Sequence, residues 1–495
     1  MDGAETSRRR RVAEDGVVAL AAGAAAVAGS YAVVGFTPAF VAAPVEGTLA
    51  RTMPGVVVAF AITVLGSLGQ QLNLLAALGL AAVGLGVPAL AARRAARGRA
   101  PAATVAAVAG AAVGAATPVW LLTRSPGSAA GAGVAAGVVL ALAALAERTA
   151  VGVLPTDTER RGVLAAVAGT ALATLVAGSR GTAGGSRGER PLPAGEAGDL
   201  LREARRKSLD VEGLEPLVSD RFFQVDINSV DPTVDPEEWS LTVTGAVDEE
   251  VRIEFDDLRE MERREEFVTL RCVGESLNGR KTDTALWTVV DVMPLLERAG
   301  APDNCCVMLR AADGYFVQFP LAALETGMLA YGMNGRDLPR GHGAPVRALV
   351  PGHWGEVNTK WLSEIEVLDE PVDGYWEKRG WHGTGPVETV AKLHVTNLLP
   401  DGRVEVAGHA YAGTRGVERV EVSTDGGETW TDADLSERLP GEDVWRQWVH
   451  RYEPPAEPHE VVVRAVDGTG TVQPSEESGA FPSGPTGWVS KTVRP

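Results

Sequence analysis

The sequence predicts three parts in tandem: a multi-helix transmembrane region at the N-terminus, an α+β domain, and a C-terminal immunoglobulin-like β-sandwich. Three observations carry this. Residues 1–190 are mostly Ala, Val, Leu and Gly in long uncharged runs and hold a net charge of +7, whereas residues 191–495 hold −25 of the total −18. Residues 215–370 alternate short strand-like and helix-like pieces. Residues 388–495 carry short strand candidates separated by regular turn signals. The expected boundaries are a membrane domain over 1–178, a linker over 179–214, a catalytic α+β domain over 215–387 and a sandwich over 388–495.

The membrane domain comes first in the chain. A bilayer core needs about 20 apolar residues per helix. Uncharged runs of that order lie near 16–43, 72–92, 102–123, 128–146 and 162–178. Arginine clusters sit at Arg8–Arg11, at Arg93, Arg94, Arg97 and Arg99, and at Arg148, Arg160 and Arg161. The positive-inside rule places all three on the cytoplasmic side. About five spans satisfy it and leave everything after the last one outside. A shorter run, 54–70, is then an interfacial or re-entrant segment, since a sixth span would put Arg93–Arg99 outside. The chain is thus expected to be a multi-pass protein of the cell membrane with its later domains extracytoplasmic.

Pro155-Thr-Asp-Thr-Glu-Arg160-Arg161-Gly162 precedes the last run and resembles a twin-arginine export signal, a route for folded, cofactor-loaded proteins. Ordinary cytoplasmic anchoring by the two arginines is the alternative. The Gly/Ser stretch 179–188 reads as a flexible linker. Beyond it, acidic residues dominate and Arg is preferred over Lys, which suggests a halophilic setting where self-repulsion is screened. The same acidity excludes a nucleic-acid partner, because a polyanion calls for a basic surface. Three cysteines exclude a disulfide-dense scaffold.

In the α+β domain, Trp239–Val243 alternates with period two and reads as a strand, and Glu266–Cys272 is another strand candidate with Phe267, Thr269 and Arg271 on one face and Val268, Leu270 and Cys272 on the other. Val289–Ala299 has helical spacing through Val290, Met293 and Leu296. Cys305–Arg310 and Tyr315–Phe319 read as strands around the turn Asp313-Gly314. Cys305 and Cys306 alternate on their strand, so they do not serve one metal and read as core. In the sandwich, His394–Asn397, Val404–Ala410, Val417–Ser423 and Glu460–Ala465 read as strands between Asp-Gly turns.

Chemistry is expected only in the later parts, because no lysine precedes Lys207 and no histidine precedes His342. In Thr269-Leu-Arg-Cys272-Val-Gly-Glu-Ser-Leu-Asn-Gly-Arg280-Lys281 a cysteine ends a strand, a glycine-bearing loop follows, and two cations close it. Glycine lets backbone approach a ligand closely, and an isolated basic pair suits an anion. Taken alone, the segment reads at least as well as a structural cysteine beside a solvated basic pair.

Two further stretches change that balance: His342-Gly-Ala-Pro-Val-Arg347 and Val350-Pro-Gly-His-Trp-Gly-Glu-Val-Asn-Thr-Lys-Trp361. With them, residues 215–495 resemble the sulfite oxidase family of molybdopterin oxidoreductases. The resemblance extends to Arg221-Phe-Phe-Gln-Val-Asp226, to Val234-Asp-Pro-Glu-Glu-Trp-Ser-Leu241 and to Leu329-Ala-Tyr-Gly-Met-Asn-Gly-Arg-Asp-Leu-Pro339. Gly416-Val-Glu-Arg-Val-Glu-Val-Ser-Thr-Asp-Gly-Gly-Glu-Thr-Trp430 looks like the family's dimerisation domain and implies a homodimer.

The resemblance implies a molybdenum cofactor with Cys272 as the protein's metal ligand, and molybdenum takes soft thiolates. It implies pterin contacts at Phe223, Gln224, Asp226, Asp313, His342, Arg347, Asn358, Thr359 and Lys360. The cations among these suit the pterin phosphate. Two positions depart from the family. Gln224 stands where the family has a substrate-facing arginine, and Trp381 falls at or near its active-site tyrosine. Arg379 and His382 are the nearest replacements. Catalytic roles are therefore expected for Cys272, Gln224, Trp381 and Arg379. Two-electron oxygen-atom transfer on a small oxyanion or oxide is expected, with sulfite doubtful. A sulfoxide- or N-oxide-type reductase, or a non-catalytic surface protein, are the alternatives. Without histidine before His342 and without a Cys-x-x-Cys-His motif, no haem is expected in the chain. Electrons would then pass through a separate carrier: a cytochrome, a copper protein or a quinone-linked one.

Overall fold

The computed structural model describes residues 2–61, 65–97, 99–149, 192–302 and 305–494. The run 162–178, the twin arginine and the linker 179–188 lie outside the described residues. The chain forms two compact units. One holds the described residues of Met1–Met53, Gly66–Glu189 and Asp226–Thr233; the other holds those of Pro54–Leu65, Arg190–Val225 and Val234–Pro495.

In the first unit, α1 (Asp2–Val34), α4 (Ser67–Ala96), α5 (Pro101–Thr123) and α6 (Pro126–Thr149) form a bundle in which α1 packs on α4 and α6, and α5 packs on the same two. All four contain a stretch long and apolar enough to cross a membrane. The first run ends earlier than its lack of charge suggests. Gly35 takes a positive φ of 64°, α1 stops, and α2 (Ala42–Thr52) begins after a turn. Small residues let the helices approach: a Cβ on Gly29 would strike the Gly131 carbonyl. Buried polar groups pair across the bundle, as Ser30 does with Ser128 at 2.7 Å. Asp15 is buried and accepts from Arg93 Nε at 2.8 Å and Arg97 Nη2 at 2.5 Å, which ties α1 to α4. Glu46 holds the stretch Asp226–Thr233, accepting from Ser229 N at 3.1 Å and Ser229 Oγ at 3.0 Å.

Of the 54–70 run, only the end from Ser67 enters one of those helices, α4; Pro54–Leu65 does not. Its helix α3 spans Gly55–Phe60, and Ala59 is buried in a cluster with Trp376 and Trp381 of the second unit, to which this segment belongs.

The second unit opens with α7 (Glu196–Lys207) and continues into two mixed sheets and a sandwich. In chain order its strands and helices are β1 (Ser240–Gly245), β2 (Val251–Glu254), α8 (Phe255–Glu260), β3 (Arg263–Arg271), β4 (Thr282–Asp291), α9 (Met293–Arg298), β5 (Cys306–Ala311), β6 (Phe316–Pro320), β7 (Met328–Met333), β8 (Arg336–Asp337), β9 (Arg347–Leu349) and β10 (Leu362–Leu368). One sheet runs β2-β1-β10-β5-β6; the other runs β3-β4-β7-β8 with β9 on β7. The helix expected over Val289–Ala299 is shorter. Val289 and Val290 end β4, and the helix covers only Met293–Arg298. β4 is buried on both faces, so it lacks the alternation that marks a half-exposed strand.

The sandwich holds β11 (Val390–Ala391), β12 (Val395–Leu398), β13 (Val404–Tyr411), β14 (Val417–Ser423), β15 (Thr431–Asp432), β16 (Asp434–Leu435), β17 (Arg446–Tyr452), β18 (His459–Asp467) and β19 (Val489–Val493). The sheet β11-β13-β17-β16, with β12 on β13, faces the sheet β15-β14-β18-β19. Val404, Val406, Trp448, Val420, Val422, Val461 and Val463 fill the space between them. Cys305 and Cys306 are joined to each other as a disulfide. Cys306 is buried but Cys305 is exposed, so only one of the two is core.

Candidate active site

β3 delivers Cys272. Phe267 to Arg271 are all buried, and the strand end pairs with β4, Arg271 opposite Thr282. The Cys272 amide then donates to Lys281 O at 2.9 Å, closing the loop 272–281. Cys272 keeps a free thiol and part of its surface exposed. Burial pushes that thiol up; Lys281 and the Gly274 amide oppose, while Glu275 and Glu356 add to the rise. The Pro-Gly loop passes directly behind it. A Cβ on Gly355 would lie 3.0 Å from Arg271 O and 3.6 Å from Cys272 Cα, so glycine permits the approach.

Five residues further on, the same loop reaches a cationic cradle. Arg347 donates to His342 O at 3.1 Å and to Asn358 O at 2.8 Å, and Lys360 donates to Gly341 O at 2.8 Å. Trp361 is buried at a positive φ of 49°, rare for a bulky residue, with its indole on Arg340 O at 3.0 Å. Phe222 stacks on Phe223 and meets the rings of Trp287 and His342 edge-on. The Gln224 amide packs on Gly341, where a Cβ would come within 2.7 Å of it. Burial, with Arg347 and Lys360 beside it, holds the His342 pKa down to about 3. The imidazole is therefore neutral, and its Nδ1 is buried without a hydrogen-bond partner.

A third group was not legible in the sequence. Glu356 and Glu377 are acids whose four carboxyl oxygens are buried without hydrogen-bond partners. Burial, then repulsion from Glu377, pushes Glu356 up to about 8; burial raises Glu377 as well. A Cβ on Gly383 would lie 2.7 Å from both Glu356 Oε1 and Val273 Cγ2, which places this carboxyl beside the residue following Cys272. Tyr315 Oη donates to Glu356 O at 2.8 Å, and Arg379 stacks 3.7 Å over Tyr375 while donating to Tyr375 O at 2.6 Å. Trp381 is buried against Trp376 and Phe481, with its indole N–H unpartnered. The one available signal was position: Glu356 interrupts the loop motif between Gly355 and Val357.

The expected residues divide accordingly. The structure brings Phe223, Gln224, His342, Arg347 and Lys360 to one cradle, and links it through a single loop to Cys272. Arg379 and Trp381 lie with the carboxyls. Asn358 and Thr359 are buried, and their side chains serve the loop: Asn358 Oδ1 accepts from Val350 N at 2.8 Å and its amide donates to Trp354 O at 3.2 Å. Thr359 Oγ1 donates to Val357 O at 3.3 Å. Asp313 accepts from the Tyr315 amide at 2.9 Å in the β5–β6 turn, and Asp226 falls in the first unit.

The residues fit a molybdenum–pterin group. A free thiol lies at one end of the loop, and an unpartnered imidazole nitrogen with two cations at the other, each beside a glycine that a side chain would crowd. At Gly343, with φ 109°, a Cβ would lie 3.0 Å from Lys360 Cα. Among the described residues no three His, Cys, Asp or Glu side chains are grouped to hold a metal. A metal bringing its own ligands suits a single thiolate.

Comparison with known proteins agrees. Residues 228–376 match the oxidoreductase molybdopterin binding domain, and residues 387–481 match the Mo-co oxidoreductase dimerisation domain. Mitochondrial sulfite oxidase of Mus musculus is 31% identical over 297 residues, 49% of this chain and 54% of that protein. The chain thus spans about half the length of the mammalian relatives it matches. An uncharacterized oxidoreductase of Bacillus subtilis (strain 168), YuiH, is 32% identical over 154 residues, 30% of this chain and 76% of that protein. Among solved structures, the sulfane dehydrogenase SoxCD from Paracoccus pantotrophus aligns at 20% identity and a TM-score of 0.43, over 59% of this chain and 86% of that one.

Proposed function

The chain belongs to the sulfite oxidase family of molybdopterin-dependent oxidoreductases, and from that premise we propose that it is a membrane-anchored enzyme of two-electron oxygen-atom transfer. The observation that supports this best is one loop, 351–361, running from the back of Cys272 to the His342–Arg347–Lys360 cradle. When bound, the molybdenum–pterin group supplies the oxygen-atom and electron chemistry. The protein's residues position it. Cys272 offers the metal a thiolate, Arg347 and Lys360 offer the pterin phosphate charge, and His342 Nδ1 offers a hydrogen-bonding site. Reducing an oxide consumes two electrons and two protons and releases water; oxidising an oxyanion reverses those terms. A separate carrier (cytochrome, copper protein or quinone-linked) is taken to exchange the electrons. The four long apolar helices support membrane insertion. With a fifth span over 162–178, the catalytic domain of 215–387 and the sandwich of 388–495 lie outside the cytoplasm. The sandwich's likeness to a dimerisation domain supports a homodimer.

The departures from the family favour one substrate class. Gln224 stands where the family has a cation, and Trp381 at or near its phenol. Without that cation the site captures a dianion such as sulfite less well and suits a neutral oxide, a sulfoxide or N-oxide.

Elemental analysis of the purified full chain tests the first reading. About one molybdenum per chain is expected in wild type, with oxidised pterin seen by fluorescence, and Cys272→Ser is expected to keep pterin while losing turnover. Metal-free native protein, or a serine variant with unchanged turnover, defeats it. Artificial donors and acceptors then decide direction: oxide reduction is expected to exceed sulfite oxidation.

A further inference from the structure

The loop that carries Cys272 is held from the sandwich by a buried ionic grip. Arg271, Glu275 and Lys392 are 0%, 2% and 2% exposed. Lys392 lies between β11 and β12, far along the chain from Cys272. Its Nζ donates to Glu275 Oε1 at 2.7 Å, Glu275 Oε2 at 2.8 Å, Thr282 Oγ1 at 2.6 Å and Gly279 O at 3.1 Å. The ammonium's three hydrogens are therefore all engaged by residues flanking one loop. Glu275 reaches back to that loop, accepting from Lys281 N at 3.0 Å, while Lys281 O accepts from Cys272 N at 2.9 Å. Arg271 completes the triad: Nε donates to Glu275 Oε1 at 2.8 Å, and Nη1 and Nη2 reach Glu388 O and Pro485 O at 2.8 and 3.2 Å. The residue after Lys392 adds a neutral arm, since Leu393 and Asn278 exchange two hydrogen bonds of 2.9 Å.

Nothing in a pure pairing domain needs a fully buried lysine aimed at the neighbouring loop. Burying three charges is costly unless each is paired and its geometry fixed, and groups of this kind serve to specify one arrangement. We propose that Lys392 is a positioning residue for the metal-binding thiol, so that the C-terminal sandwich sets the geometry of the Cys272 loop independently of any role in dimerisation. This rests on the cofactor reading only for its consequence at the metal; the grip itself concerns the loop.

Two readouts on the full chain in detergent separate these. In protein produced without molybdopterin, Cys272 is the free cysteine, since Cys305 and Cys306 are joined, and its alkylation rate reports loop closure. Lys392→Met is expected to raise that rate about 10- to 100-fold, Lys392→Arg to restore most of the protection, and Val463→Ala, a sandwich-core truncation, to leave it unchanged at temperatures well below unfolding. In loaded protein, Lys392→Met is expected to alter the Mo(V) electron paramagnetic resonance spectrum and lower kcat with KM nearly constant. An unchanged alkylation rate in folded Lys392→Met overturns the proposal. If that variant does not fold, Lys392→Met with Glu275→Gln removes both charges together, and Asn278→Ala removes only the neutral arm. Alkylation unchanged in every folded one of these also overturns it. Absence of molybdenum in wild type would sink the cofactor reading while leaving the alkylation result to decide the grip.

Discussion

A carboxyl buried beside another without hydrogen-bond partners binds its proton more tightly in the folded chain than in the unfolded one. Glu356 is such a group, raised from an ordinary 4.5 to about 8. Between those values the native state holds a proton that the unfolded chain has released, so stability is full below 4.5 and falls as pH rises through the window. Glu356→Gln keeps the shape and removes the titration. Its Tm is expected to match wild type at pH 5 and to exceed it by about 3 to 6 °C at pH 9. Equal melting curves at both pH values would show that the carboxyl is solvated. His342 carries the opposite sign. Held down to about 3, it is neutral when the unfolded imidazole, near 6.5, has begun to charge, so it withdraws stability as pH falls through that interval.

At the scale of elements, the turn Arg340–His342 and the positive-φ residues after it shape the cradle. Gly343 has φ 109° and ψ 21°, and a Cβ there would also lie 3.1 Å from Arg347 Cβ. Gly343→Ala is expected to cost about 1–2 kcal/mol of stability and to reduce pterin content about tenfold, because both cations must shift. Normal pterin fluorescence in that variant would detach the cradle from the cofactor. Much of this was legible locally. β1 and β6 alternate with period two, and the motif around His342 and Trp361 is contiguous. β4 was not legible, because a strand buried on both faces loses its alternation and Val289–Val290 merge with the helix that follows. Glu356, Glu377 and Lys392 were not legible for a different reason. In sequence each is an ordinary charged residue, and only the crossing of the Pro-Gly loop, the turn Glu377–Arg379 and the sandwich strands buries it.

For the whole molecule, the split in charge carries the last expectation. Residues 191–495 hold 55 acidic and 30 basic side chains. Surface pairs such as Arg310 with Glu366 and Arg464 with Glu421 answer part of that excess locally. The rest repels across the surface. At about 0.1 M salt the screening length is near 10 Å, and at 1 M about 3 Å, so repulsion between neighbouring carboxylates is removed while contacts at hydrogen-bond distance persist. The buried triad Arg271–Glu275–Lys392 is shielded from solvent and is insensitive to the same change. Raising KCl from 0.1 to 2 M is therefore expected to lift the Tm of the full chain by about 5 °C or more, while Cys272 alkylation stays constant. A Tm that falls with salt would mean that attractive surface pairs outweigh the repulsion, and the acidic composition would then need a reason other than a saline environment. A Tm that rises together with faster alkylation would locate the salt effect in the loop instead of the surface.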